Sequence, residues 1–130
     1  MDNPINQSGQ LLEDMVENYC VSNKISYKRA KPGAHEIDFI IDSSNGKIFA
    51  DCTNQMTGGS VEEKLPHKLW KYFKKYQYRN VYIIKGDHKI SAKVLEHCYE
   101  MARGYKFELQ FVNYEQFTNK LVAKEDGFFG

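Results

Sequence analysis

A chain of 130 residues, 42% hydrophobic, 14% aromatic and 27% charged, can bury the core of one compact domain and not comfortably two. Its 18 Lys and Arg against 17 Asp and Glu leave a net charge of +1, which excludes a histone-like polycation or an acidic tail and makes local charge placement informative. Cys20, Cys52 and Cys98 are odd in number and far apart, with no CxxC pair, so neither a disulfide framework nor a structural zinc site is indicated. The N-terminus is polar and no apolar run approaches the ~18 residues of a membrane span, so no membrane association and a reducing cytoplasm are expected.

A single domain is predicted, with residues 1–8 and 125–130 frayed. Leu11, Leu12, Met15, Val16, Tyr19 and Cys20 fall on one helical face behind a candidate cap at Ser8, predicting a helix over about 9–21. Ile25 to Arg29 reads as a short edge strand, turned by Lys31-Pro32-Gly33. His35 to Asp42 and Lys47 to Asn54 are rich in β-branched and aromatic residues, and Asn45-Gly46 between them favours a tight hairpin turn. Beyond Gly58-Gly59, Ser60-Val61-Glu62-Glu63 has the pattern of a capping box that opens a helix to about Tyr76. Pro66 either kinks its first turn or marks where the regular helix begins.

Asn80 to Lys85 carries the near-continuous apolar run of a central strand. Ser91 then caps a helix to about Arg103, stopped at Gly104, with Val94, Leu95, Cys98 and Met101 or Ala102 inward. Phe107 to Val112 is a strand and Tyr114 to Ala123 a last helix. This order predicts an α/β fold, a mixed central sheet flanked by helices.

Strand alternation puts Glu36, Asp38 and Ile40 on one face and His35, Ile37, Phe39 and Ile41 on the other, while Phe49, Asp51, Thr53 and Gln55 share a face. An Asn45-Gly46 turn pairs Asp38 with Thr53 and Ile40 with Asp51, which makes the two aspartates diagonal neighbours about 7–8 Å apart. From there two carboxylates could hold one divalent metal. Aspartate is disfavoured in apolar strands and costly to bury alone, so metal binding would explain the pair; solvation on an open sheet face is the competing explanation. Lys64, Lys68, Lys71 and Lys75 form one stripe of the following helix, beside an apolar stripe of Leu65, Leu69, Tyr72, Phe73 and Tyr76. Six basic residues and no acidic one lie between Lys64 and Arg79, either a solvated face or a ridge suited to a polyphosphate backbone. His35 and His67 read as structural or phosphate-contacting, and Trp70 and the tyrosines as core by default.

Glu36-Ile37-Asp38-Phe39, the hairpin, Asp51-Cys52-Thr53-Asn54-Gln55, Gly58-Gly59-Ser60 and Glu63-Lys64-Leu65-Pro66 together resemble the PD-(D/E)XK nuclease superfamily over roughly residues 10–115. The resemblance implies a restriction-endonuclease-like core in the order α-β-β-β-α-β-α-β. It makes Asp38 the first metal-binding aspartate, Asp51 the second acidic ligand and Glu13 an auxiliary acid, with the backbone carbonyl of Cys52 completing the shell of Mg2+ or Mn2+. Gln55 resembles a polar residue that several subfamilies carry. The family's lysine position falls on Thr53, and a neutral hydroxyl stabilises developing phosphorane charge poorly. Lys64 or Lys68, Lys64 ahead, is the candidate replacement; otherwise Thr53 and Gln55 merely position water, or the site is silent.

The expected function is metal-dependent endonucleolytic hydrolysis of DNA, branched or sequence-specific, with Lys64, Lys68, Lys71 and Lys75 gripping the backbone. Specificity would come from short loops such as Lys28 to Gly33, where Lys28 and Arg29 are candidate contacts, or from homodimerisation. The competing expectations are a catalytically inactive nucleic-acid-binding module on the same fold and a structural subunit that docks through Phe128-Phe129.

Overall fold

Alternating and helical apolar patterns resolve into two packed layers on either side of one sheet. The computed structural model describes residues 4–31, 36–43, 46–53, 58–86 and 90–129. Helix α1 spans Pro4–Ser22, β1 Tyr27–Arg29, β2 Phe39–Ser43, β3 Gly46–Thr53, α2 Gly58–Trp70, β4 Asn80–Lys85, α3 Ala92–Tyr105, β5 Glu108–Val112 and α4 Tyr114–Phe129. The sheet runs in the order β1-β2-β3-β4-β5, antiparallel across the first three strands and parallel across the last three. This is the predicted mixed α/β architecture of a restriction-endonuclease-like core.

Strand β4 is apolar from Val81 to Ile84 because both its faces are covered. Tyr82 and Ile84 meet Leu12, Val16 and Cys20 of α1 and Phe117 and Leu121 of α4. Val81 and Ile83 meet Leu65 and Leu69 of α2 and Cys98 and Ala102 of α3. No helix among the described residues is long and apolar enough to cross a membrane.

Several element boundaries differ from the sequence expectation. Helix α1 begins at Pro4 rather than near residue 9, since proline's fixed φ suits a first helical turn. Helix α2 begins at Gly58, so Ser60 lies inside it rather than capping it, and Pro66 is accommodated in its interior between the buried Leu65 and Leu69. It does not continue regularly to Tyr76: a π turn over Lys71–Lys75 follows, closed by the Tyr76 N–H donating to the Lys71 carbonyl at 3.1 Å. Helix α3 is capped by Ser91, whose Oγ accepts from the Val94 N–H at 3.3 Å. It runs past Gly104 and ends at Lys106, which takes the left-handed conformation at φ 62°. Helix α4 runs to Phe129 rather than ending at Ala123.

The hairpin register is also shifted. Ser43 pairs with Gly46 and Phe39 with Ala50, so the connection is residues 44 and 45, one position earlier than predicted. Both lie outside the described residues. Gly46 holds φ at +116°, a value that favours glycine. The loop length stays even, which keeps every side chain on its predicted face of the β2–β3 ladder. Alternation fails only upstream of it: Ile37 joins the buried cluster that contains α2 and α3 rather than the one that contains Phe39, because the chain bends at Asp38 before β2 begins.

Candidate active site

The site grows from the point where the β2–β3 ladder stops. The ladder ends at Phe39–Ala50, and just beyond it Asp38 meets Asp51 rather than Thr53. The two carboxylates replace the missing ladder bonds. Asp51 Oδ1 accepts from the Asp38 backbone N–H at 3.1 Å, and Asp38 Oδ2 accepts from the Cys52 backbone N–H at 2.8 Å.

Asp51 is 1% exposed, in the middle of a sheet, and a charge there is costly unless paired. Its second oxygen receives the Lys68 ammonium at 2.7 Å, and the Tyr72 hydroxyl donates to the same carboxylate. Lys68 and Tyr72 are four residues apart, so one face of the helical segment after the hairpin delivers both groups. Burial opposes the charge on Lys68, but Asp51 and then Asp38 outweigh it and hold the ammonium above its ordinary range. Burial and the Asp51 charge push the Tyr72 hydroxyl far up, so it stays a donor.

Asp38 is half-buried and its carboxyl lies well above the usual carboxylate range, first from burial and then from the charge of Asp51. A carboxylate pair under mutual repulsion is a receptor for a cation. The side chains that act on this pair include Glu13, farther out, whose charge also raises Asp38. The Cys52 thiol is pushed far up by burial and stays protonated, so it offers no thiolate. Among the described residues no group of three or more His, Cys, Asp or Glu gathers closely enough to hold a metal. Two carboxylates offer the hard oxygen ligands that divalent cations take.

Glu13 reaches the pair electrostatically rather than by contact. Burial raises its carboxyl, against Arg29, and the Asp51 charge adds to the rise. Arg29 draws together three carboxylates of α1: Glu13 at 3.5 Å, Asp14 at 2.9 Å and Glu17 at 2.8 Å. Tyr27 donates to Glu17 at 2.7 Å beside it. Arg29 is therefore committed to α1, whereas Lys28 is exposed on the edge strand.

Thr53 closes β3, half-buried, and its carbonyl accepts from the Gly86 N–H at 2.9 Å. Its ladder partner is Lys85 of β4. Gln55 lies outside the described residues. Lys64 is exposed one turn before Lys68, Lys71 is half-buried, and Lys75 is exposed with its ammonium 5.4 Å from the centroid of the Tyr76 ring. The structure thus brings Asp38, Asp51 and Lys68 together. It adds Tyr72, which the apolar stripe concealed; the signal that could have found it was its spacing of four from Lys68.

No curated protein and no solved structure matches the chain. Residues 32–118, a span that takes in both aspartates, Lys68 and Tyr72, match the PD-(D/E)XK nuclease superfamily domain, and the chain therefore belongs to that superfamily.

Proposed function

We propose that the protein is a metal-dependent endonuclease that hydrolyses DNA phosphodiester bonds. The reading rests on one observation: two opposed aspartates, one of them buried in mid-sheet, share a site with a helix-borne lysine. Asp38 and Asp51, with the Cys52 carbonyl and Glu13 as further oxygen donors, would hold Mg2+ or Mn2+, which when bound activates water and neutralises phosphate charge.

Lys68 supplies the cation that Thr53 lacks, in place of the Lys64 favoured from sequence, because its ammonium already touches Asp51 and remains protonated. Tyr72 fixes the orientation of the Asp51 carboxylate. Thr53 and Gln55 are assigned to positioning water. Lys64, Lys71, Lys75 and Lys28 bind backbone phosphates, and Arg29 holds Glu13 toward the site.

Purified protein with Mg2+ or Mn2+ is expected to cut at least one of linear, supercoiled, single-stranded or branched DNA; cleavage of none overturns the proposal. Lys68→Met is expected to lower the single-turnover rate by roughly 10²–10³-fold, the usual loss of one electrostatic stabiliser. Lys64→Met should keep that rate and instead reduce the salt dependence of binding by about one ion. Thr53 favours a second reading, a silent nucleic-acid-binding module on this fold. That module would bind DNA in a salt-sensitive manner indifferent to Asp38→Ala and Asp51→Ala.

A further inference from the structure

Beside the aspartate pair runs a ladder of rings that the reaction does not use. Phe49 precedes Asp51 by two residues on the same face of β3. The Tyr78 ring stacks on it at 4.4 Å and 21°, and the Tyr76 ring stacks on Tyr78 at 5.3 Å and 11°. The Lys75 ammonium lies over Tyr76 at the far end. Tyr72, whose hydroxyl donates to Asp51, tilts against Tyr78 at 5.7 Å and so joins the ladder to the carboxylates. The π turn sets these rings in place: the Tyr78 N–H returns to the Tyr72 carbonyl at 3.0 Å.

This ladder differs from the core aromatics. Phe39, Phe73 and Phe117 are at most 1% exposed, whereas Phe49, Tyr76 and Tyr78 all keep contact with solvent. Lys75 sits over Tyr76, Lys71, Lys74 and Arg79 flank the ring segment in sequence, and no acid lies between Lys64 and Arg79, so this segment attracts phosphate. A nucleotide carries both a negative phosphate for these cations and a flat neutral base for the rings. Bases within a duplex have both faces covered by their neighbours, so only an unpaired one can lie on a ring.

We propose that the Phe49–Tyr78–Tyr76 ladder, with Lys71 and Lys75, is a platform for an unpaired nucleobase beside the aspartate pair, and that the substrate is single-stranded or locally unpaired nucleic acid. The substrate assignment rests on the nuclease reading; the binding platform does not. Lysine is a flexible point charge, so Lys75 can exchange the Tyr76 ring for a phosphate as a base arrives.

The test is fluorescence anisotropy with the full chain in EDTA, using a labelled 12-nucleotide oligothymidylate and a labelled 12-base-pair blunt duplex. Tyr76→Ala should weaken oligothymidylate binding roughly tenfold, the usual loss of one base–aromatic stack, and duplex binding less than twofold. Its slope of affinity against salt should not change, whereas Lys75→Met should lower that slope by about one. Tyr76→Phe should bind as the wild type does. Wild-type protein should also bind an oligonucleotide of abasic spacers roughly tenfold more weakly than oligothymidylate, a comparison that needs no folded variant. Equal losses on both ligands, no loss on either, or indifference to abasic spacers would overturn the platform. Absence of cleavage would sink the nuclease reading alone, because these affinities are measured without metal.

Discussion

Asp51→Asn is expected to reduce metal-dependent cleavage by about a thousandfold or more while the chain remains folded. Removing one of two carboxylates from a divalent-cation site forfeits several kcal/mol of electrostatic stabilisation, and about 4 kcal/mol corresponds to three decades in rate. The fold should survive because the asparagine carbonyl still accepts from the Asp38 N–H, now 3.1 Å from Asp51 Oδ1. The Lys68 side chain is 46% exposed and can turn its ammonium to water once its partner is neutral. Loss of the like charge should also bring the Asp38 carboxyl back toward its ordinary range. Single-turnover cleavage beside a thermal melt measures both halves; a variant with more than a tenth of wild-type activity contradicts the role of Asp51.

In metal-free solution the protein is expected to lose stability as pH rises from about 4 to about 8, by a few kcal/mol, and Mg2+ or Mn2+ should restore most of it. Burial first and the Asp51 charge second push the Asp38 carboxyl from 3.8 in a free chain up to about 8 in the fold. Between those values the folded chain holds a proton that the unfolded chain has released. The stabilisation is therefore complete below the lower value and gone above the upper one. Glu13, also raised, adds to the decline. Lys68 is raised as well, but its ordinary value of 10.5 lies beyond this window, so its ammonium stays charged throughout. Asp38→Asn should flatten the profile. Denaturant midpoints across pH, with and without metal, measure it; a midpoint that climbs with pH, or an Asp38→Asn profile as steep as the wild type, contradicts the shared carboxylate site.

Much of this geometry was legible because it depends on parity and periodicity. The apolar run Asn80–Lys85 marks β4 because both faces of that strand are covered, and any sequence so placed must read that way. The shared face of Asp38 and Asp51 survives a wrong turn assignment because moving a two-residue connection by one position changes the register by an even step. What sequence cannot fix is the distance within that face. Just past the end of the ladder the aspartates come close enough for each carboxylate to cap the other's strand.

The choice between Lys64 and Lys68 depended on how far α2 runs and where it lies on the sheet, which are properties of packing rather than of spacing. Arg29 reads as a phosphate contact in isolation, yet three acids of α1 come to meet it only once the helix docks on β1. Tyr72 was assigned to the core, correctly for its ring, which is 2% exposed, while its hydroxyl serves Asp51. The π turn left no trace in the pattern because it closes the helical segment, with no further turn after Tyr76 whose apolar stripe it could displace.

Crystals of the protein soaked in Mn2+ and measured at the manganese edge test the shared-cation site most directly. An anomalous peak within coordination distance of both the Asp38 and Asp51 carboxylates, with the Lys68 ammonium moved off Asp51 Oδ2, is the predicted result. Saturating Mn2+ with no peak between the two aspartates, and Lys68 still 2.7 Å from Asp51, would contradict it.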